Sequence, residues 1–259
     1  MTYCLAIHVN AGLVLISDSR TNAGVDSVST HSKMRIFGVP GDRQFILCCS
    51  GNLATTQGVF AQIERDLRDD AKTSLKTVKN VSEAATYVGA LSRKEQEKTP
   101  GGHVFEASFL VAGEVWGARC RTYMVYPEGN FIESSNQVPY LQIGESKYGK
   151  PILDRVVTMD SSLDQAALCA LVSMDGTMRS NLTVAPPIEI VAYTAGSLQP
   201  GRYRRFEEDD DYLRDVKRNW NKEIKIAFAR LRACRLSIGR LNSPRDDSRI
   251  PRTQDHIPF

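Results

Sequence analysis

The 259-residue chain carries 33 Lys and Arg against 30 Asp and Glu, a formal charge of +3, and is 42% hydrophobic and 24% charged. That is the balance of an ordinary globular protein, long enough to bury a substantial core in one large domain or two small ones. It excludes a binder of nucleic acid driven by net charge, and no apolar run approaches the roughly 18 residues that cross a membrane.

The start reads as an alternating strand and lacks the basic and apolar regions of a signal peptide, so a cytoplasmic protein is expected. Met1-Thr2 opens the chain. Removal of Met1 would leave Thr2 with a hydroxyl and a free α-amine, a nucleophile with its general base attached. A free α-amine has an ordinary pKa of roughly 7.7–8.0, near the range where a general base works best. Tyr3 to Val9 and Leu13 to Ser17 read as strands joined at Asn10-Ala11-Gly12, a hairpin signal. Partners across such a hairpin sum to roughly 21–23, which sets Thr2 about opposite residues 19–21 and returns Asp18-Ser19-Arg20 to the N-terminus.

Thr21 to Ser32 is polar, a loop or second hairpin, and Lys33 leads into a short strand over Met34–Phe37. Pro40-Gly41-Asp42 is a turn, Gln44 to Cys49 a buried strand, and Ser50-Gly51-Asn52 a break. Apolar residues at Val59, Ile63 and Leu67 place a helix from Leu53 to Leu67. A second helix is expected from Ser82, as its cap, to about Lys98, stopped by Thr99-Pro100-Gly101-Gly102. Two strands lie within Ala107–Val125, and Phe131–Ile143 is strand-like in pieces. Helices are expected over Lys147–Val157 and Leu163–Met174, and Ile188–Thr194 is expected as the last strand. Strands grouped in hairpins with helices in separate pairs give two antiparallel sheets between helical layers.

After Gly201 the character changes, and the division expected is 1–201 as the main domain, 202–241 as a helical extension and 242–259 as an extended tail. The acidic run Glu207–Asp211 favours a helix start, and Leu213, Val216, Trp220, Ile224, Ala227, Leu231 and Cys234 form one apolar stripe. Residues 202–259 hold 15 basic and 10 acidic groups. The interleaved acids and the stripe favour packing on the same domain or a neighbouring subunit over nucleic-acid binding. Six cysteines, at 4, 48, 49, 120, 169 and 234, form no C-x-x-C pair, so no metal is expected and buried thiols are the reading. Cys48 and Cys49 should point to opposite faces of their strand.

Thr2 opening a strand, then Leu15-Ile16-Ser17-Asp18-Ser19-Arg20-Thr21-Asn22-Ala23-Gly24, Lys33, and Cys49-Ser50-Gly51-Asn52 before a helix, resembles a proteasome β subunit. The order is kept over roughly residues 2–195. The bare Met-Thr start, Ile143-Gly144-Glu145-Ser146-Lys147-Tyr148-Gly149-Lys150-Pro151, the run Ser173–Leu182 and the extra C-terminal helix resemble the bacterial ancestral β-subunit group, Anbu.

The resemblance implies an α+β N-terminal-nucleophile hydrolase fold, a four-layer αββα sandwich. It implies a threonine peptidase or amidase without cofactor, assembled from copies of itself as a ring or open spiral. Any unfoldase would be a separate protein, since the chain has no phosphate loop. It assigns Thr2 as nucleophile, Lys33 as an electrostatic aid, Asp18 as its partner, and the Gly51 N–H as oxyanion donor. Ser19, Asp175 and Ser180 fall at supporting positions near the amine, with Glu145 or Ser146 where most subunits carry a small hydroxyl residue after the glycine. Thr21, Cys49 and Leu53 would line a modest, mostly apolar specificity pocket. The Asp18–Lys33 interval is one residue shorter than in typical proteasome subunits, a spacing usual in Anbu. The loop Thr21–Ser32 must absorb the difference for Lys33, and not Met34, to face the site. A catalytically idle scaffold with the same fold is the alternative.

Overall fold

The computed structural model describes residues 1–22, 28–98 and 102–234. The chain opens with β1 (Tyr3–Val9) and β2 (Gly12–Asp18), paired so that Val9 faces Gly12 and Cys4 faces Ser17. The expected register is thus realised with Asn10 and Ala11 as the turn. Gly12 takes φ +143°, and a Cβ there would lie 2.0 Å from the Tyr193 carbonyl oxygen, so only glycine fits.

A small hairpin follows, β3 (Arg20–Asn22) with β4 (Val28–Thr30), as one of the two readings of the polar stretch required. Then come β5 (Met34–Val39), β6 (Arg43–Gly51), α1 (Leu53–Arg68) and α2 (Val81–Glu97). β7 (Ala107–Val115), β8 (Arg121–Val125), β9 (Phe131–Glu133) and β10 (Tyr140–Gly144) lead to α3 (Lys150–Val156) and α4 (Leu163–Ser180). β11 (Ile188–Thr194), β12 (Arg202–Phe206) and α5 (Asp211–Ala229) complete the described elements.

Two five-stranded antiparallel sheets result, one ordered β10-β1-β2-β11-β12 and the other β5-β6-β7-β8-β9. Alternation of side chains then builds the layers. Cys4, Ala6, Leu13 and Leu15 from the first sheet meet Met34, Ile46, Cys48 and Leu110 from the second in a core between the sheets. The opposite face of the first sheet, with Tyr3, Leu5 and Ile7, packs on Leu153 of α3 and Ala170 and Met174 of α4. Phe45, Leu47, Cys49 and Phe109 of the second sheet pack on Val59 and Ile63 of α1 and Val88 of α2. The four-layer αββα sandwich is therefore present, and Cys48 and Cys49 do face opposite layers.

Several boundaries differ from expectation for local reasons. The cap of α2 is Asn80, whose side chain accepts from the Glu83 N–H at 2.9 Å, and Ser82 lies inside the helix. α4 runs past Met174 to Ser180 because packing against the first sheet carries it through Gly176. α3 starts three residues later than expected, at Lys150, with Pro151 in its first turn, where a missing N–H costs nothing. Ile188–Thr194 is not the last strand: Arg202–Phe206 pairs with it from Ile188↔Phe206 to Ala192↔Arg202.

The compact unit spans Met1–Asn221, with Phe206 and Leu213 in the core, so the fold continues through the boundary expected after 201. As the acidic run implied, α5 begins there, with the Asp210 carboxylate accepting from the Leu213 N–H at 3.0 Å. Lys222 onward forms a second unit, with α5 ending at Ala229, so Leu231 and Cys234 fall beyond the helix. The stop at Thr99–Gly101 and the tail 242–259 lie outside the described residues.

Ser162 caps α4 in a reciprocal box with Gln165: each side chain bonds the other residue's backbone N–H, at 3.2 and 2.9 Å. Ser162→Ala should lower stability by about 1 kcal/mol, or roughly 2–4 °C in Tm, read by thermal melting. An unchanged melt would mean that the packed face alone holds the start of α4.

Candidate active site

The β1–β2 hairpin delivers the first elements of the site. The Tyr3 N–H donates to Asp18 Oδ1 at 2.9 Å, fixing a buried carboxylate beside the residue that follows Thr2. The other oxygen, Oδ2, accepts from Lys33 Nζ at 2.8 Å, and Nζ also donates to the Arg20 carbonyl at 2.6 Å. Lys33 is itself buried, and its carbonyl accepts from the Cys49 N–H at 3.0 Å, locking this segment to β6. Met34 turns into the core between the sheets. The shorter interval thus leaves Lys33, and not Met34, on Asp18.

Burial pushes the Asp18 carboxyl above its ordinary range, against the downward pull of the Lys33 ammonium and the Tyr3 N–H. The Lys33 Nζ at 2.8 Å and the Tyr3 N–H at 2.9 Å give each of its two oxygens a donor.

Thr2 is half-buried, and its carbonyl accepts from the Glu145 N–H at 2.7 Å. Gly144, across the strand pair from Tyr3, takes φ +81°, and a Cβ there would sit 2.0 Å from the Thr2 oxygen. Only a glycine lets β10 come this close to Thr2. At the end of β6, Gly51 takes φ +106°, and a Cβ would lie 2.3 Å from the Glu106 carbonyl oxygen.

A cavity of about 580 Å³ opens on these groups, lined among others by Thr2, Lys33, Gly51, Thr21, Cys49 and Leu53. The structure thus gathers the expected nucleophile, lysine, glycine and pocket residues on one cavity, with Asp18 behind them. Burial pushes the Cys49 thiol up to about 12, so it is a neutral wall and not a rival nucleophile.

The remaining expected residues do not line the cavity. Ser19 spends its hydroxyl on the Pro187 carbonyl at 2.6 Å. The Glu145 carboxylate accepts from Asn181 Nδ2 at 3.2 Å and from the Lys147 N–H at 3.4 Å, so it ties the Thr2-binding turn to the end of α4. Asp175 is buried and paired with Arg179 at 3.3 Å, while Ser146 and Ser180 are exposed.

Sequence reasoning missed the Arg20 carbonyl on Lys33, for which the hairpin register was the available signal. It also missed the buried Tyr3 hydroxyl, which bonds Ser173 at 2.7 Å and accepts from Gln142 at 2.8 Å. Desolvation raises that phenol far above its ordinary range, so it is a structural group. Among the described residues no cluster of three or more His, Cys, Asp and Glu could hold a metal, and no helix is long and apolar enough to cross a membrane.

The family model for proteasome subunits matches residues 2–191. Anbu from Yersinia bercovieri is 42% identical, with a TM-score of 0.87 over 90% of this chain and 99% of that one. A structure described as the helical assembly of the Anbu complex from Pseudomonas aeruginosa is 40% identical, with a TM-score of 0.87 over 92% of this chain and 100% of that one. An Anbu Gly-1 mutant from Hyphomicrobium sp. strain MC1 is also 40% identical, with a TM-score of 0.87 over 91% and 100%. No curated protein matches the chain. The sandwich, the matched span and these similarities together make the chain a member of the proteasome subunit family, similar to its Anbu members.

Proposed function

We propose that the chain is a threonine-type N-terminal nucleophile hydrolase of peptide or other amide bonds, active once Met1 is removed. The observation that carries this reading is the Lys33 ammonium, held by Asp18 and the Arg20 carbonyl, on the cavity that Thr2 and Gly51 also line.

Thr2 Oγ attacks the carbonyl carbon while its proton passes to the α-amine. Lys33 favours the developing alkoxide and holds down the amine pKa by charge, and Asp18 keeps Lys33 ionised and aimed. The Gly51 N–H donates to the oxyanion. The tetrahedral intermediate collapses with the proton delivered to the departing amine, leaving an ester on Thr2. Water then cleaves the ester, releasing the acid and restoring the hydroxyl. Glu145 serves by positioning Thr2 through the bond between its N–H and the Thr2 carbonyl. Ser19 braces the site only through the Pro187 carbonyl and Asp175 only through Arg179, while the exposed Ser146 and Ser180 have no part in the chemistry. No cofactor takes part.

The helical assembly reported for the Pseudomonas aeruginosa relative supports self-association of this chain. Cytoplasmic function, with any unfoldase a separate protein, belongs to the same proposal. The same assembly supports the second reading, an idle scaffold.

Intact-mass spectrometry of natively produced protein treated with a peptide epoxyketone separates the two. The hydrolase should lack Met1 and gain one adduct, absent from Thr2→Ala. Quantitative retention of Met1, or equal labelling of the variant, sinks the hydrolase.

A further inference from the structure

The cavity contains a charged side chain that the proposed chemistry leaves unused. Lys33 directly precedes β5 and Arg35 is its second residue; Met34 between them turns into the core between the sheets, and Arg35 turns the other way, towards Phe60 of α1. The Arg35 guanidinium lies over the Phe60 ring, 5.4 Å from its centroid, and Nη1 donates to the carbonyls of Ser32 at 3.3 Å and Met34 at 3.0 Å. Its carbonyl partners and the aromatic face fix its direction, and among the described residues it makes no ion pair.

The other charges around the cavity are differently placed. Lys33 is bound to Asp18, Arg20 reaches the Leu182 carbonyl at 3.5 Å, and Glu106 is bonded to His103. Glu64, one helical turn beyond Phe60, is exposed to water and makes no ion pair among the described residues. Both Lys33 and Arg35 pull the Cys49 thiol of the cavity wall down, against the larger upward push of burial and of Cys4.

We propose that Arg35 forms an anion subsite and that the preferred substrate carries a carboxylate side chain on the residue whose carbonyl Thr2 attacks. This rests on the hydrolase reading and names its substrate class. Arg35 is pre-organised and half-buried, and among the described residues only its Nη1 is engaged, which leaves the Nε and Nη2 edge that suits a carboxylate. The exposed Glu64 is screened and loses most of its pull on a basic residue. An apolar pocket would have no use for a fixed guanidinium; this one selects by charge.

Binding can be read without turnover, on full-length Thr2→Ala protein, by fluorescence anisotropy with N-terminally dye-labelled Ala-Ala-Xaa-NH2 peptides in which Xaa is Glu, Gln, Leu or Lys. The amide terminus removes any competing carboxylate. Glu should bind at least about tenfold more tightly than Gln, and the advantage should shrink with salt. Adding Arg35→Gln should bring the Glu-to-Gln ratio near one, while Arg35→Lys should keep part of it. Equal binding of Glu and Gln by the Thr2→Ala protein with Arg35 intact, tighter binding of Lys, or no peptide binding overturns the subsite, even if Arg35→Gln fails to fold. A Glu preference without epoxyketone labelling of the unsubstituted protein would keep the subsite and sink the hydrolase. Labelling without the preference would do the reverse.

Discussion

Lys33→Ala should lower amide hydrolysis by roughly 10³-fold, with most of the loss in kcat. The substitution also leaves the Asp18 carboxylate buried with the Tyr3 N–H as its remaining close donor, a change that costs about 3–5 kcal/mol when one partner of a buried pair is removed. Lost activity alone would therefore be ambiguous between chemistry and unfolding. The double variant Asp18→Asn/Lys33→Met resolves it. Removing both charges should recover much of the stability, because a buried ion pair contributes little net stability beyond a well-packed neutral pair. It should recover none of the turnover. Melting curves and steady-state kinetics on the three proteins check both halves. A double variant that regains activity would make the pair structural only.

The same pair sets an acid limit. Burial raises Asp18 above its ordinary value near 3.9, so below the fall in kcat/KM that protonation of the α-amine sets, Asp18 should add a second acidic step, one absent from Asp18→Asn. The effect on stability runs the other way. A carboxyl with a higher pKa folded than unfolded binds its proton more tightly in the native state. Ionised Asp18 therefore costs stability at neutral pH, and the cost is relieved as the pH falls through the folded value. Activity should then decline on acidification without loss of stability attributable to this residue, which pH-dependent melting of the protein and Asp18→Asn would show.

The layers were legible in the sequence because short apolar runs between turn residues mark strands buried on both faces, and four-residue apolar spacing marks the helix packed on them. The site was legible where it depends on register: a short turn at Asn10-Ala11 fixes Cys4 opposite Ser17, and Asp18 must then reach the Tyr3 N–H. What escaped was set by tertiary contact. β12 is rich in arginine and exposed along most of its length, so neither hydrophobic pattern marks it, and it exists because β11 offers an edge. The supporting residues Asp175 and Ser180 were placed by likeness of order alone. A helix puts them on different sides, and the carboxylate finds Arg179 one turn on. Arg35 stood two residues from Lys33 in plain view. Only the position of Phe60 on α1 distinguishes a cavity arginine from a solvated one.

Gly51→Ala should reduce kcat by roughly 10²–10³-fold with a smaller change in KM, while leaving Lys33 on Asp18. The residue is left-handed, φ +106°, a conformation that costs a side-chain-bearing residue about 1–2 kcal/mol. The larger consequence is steric: the new Cβ would stand 2.3 Å from the Glu106 carbonyl oxygen and 2.9 Å from Ala107 Cα, both backbone atoms. The backbone at Gly51 must therefore move, and the N–H proposed as oxyanion donor moves with it. Gly41 supplies the control, since it is also left-handed, φ +81°, but has open space where a Cβ would go. Gly41→Ala should show the conformational cost in its melting temperature and keep full turnover. The difference between the two variants isolates the displacement of the N–H. If Gly51→Ala folds and keeps the kcat of Gly41→Ala, the oxyanion donor lies elsewhere.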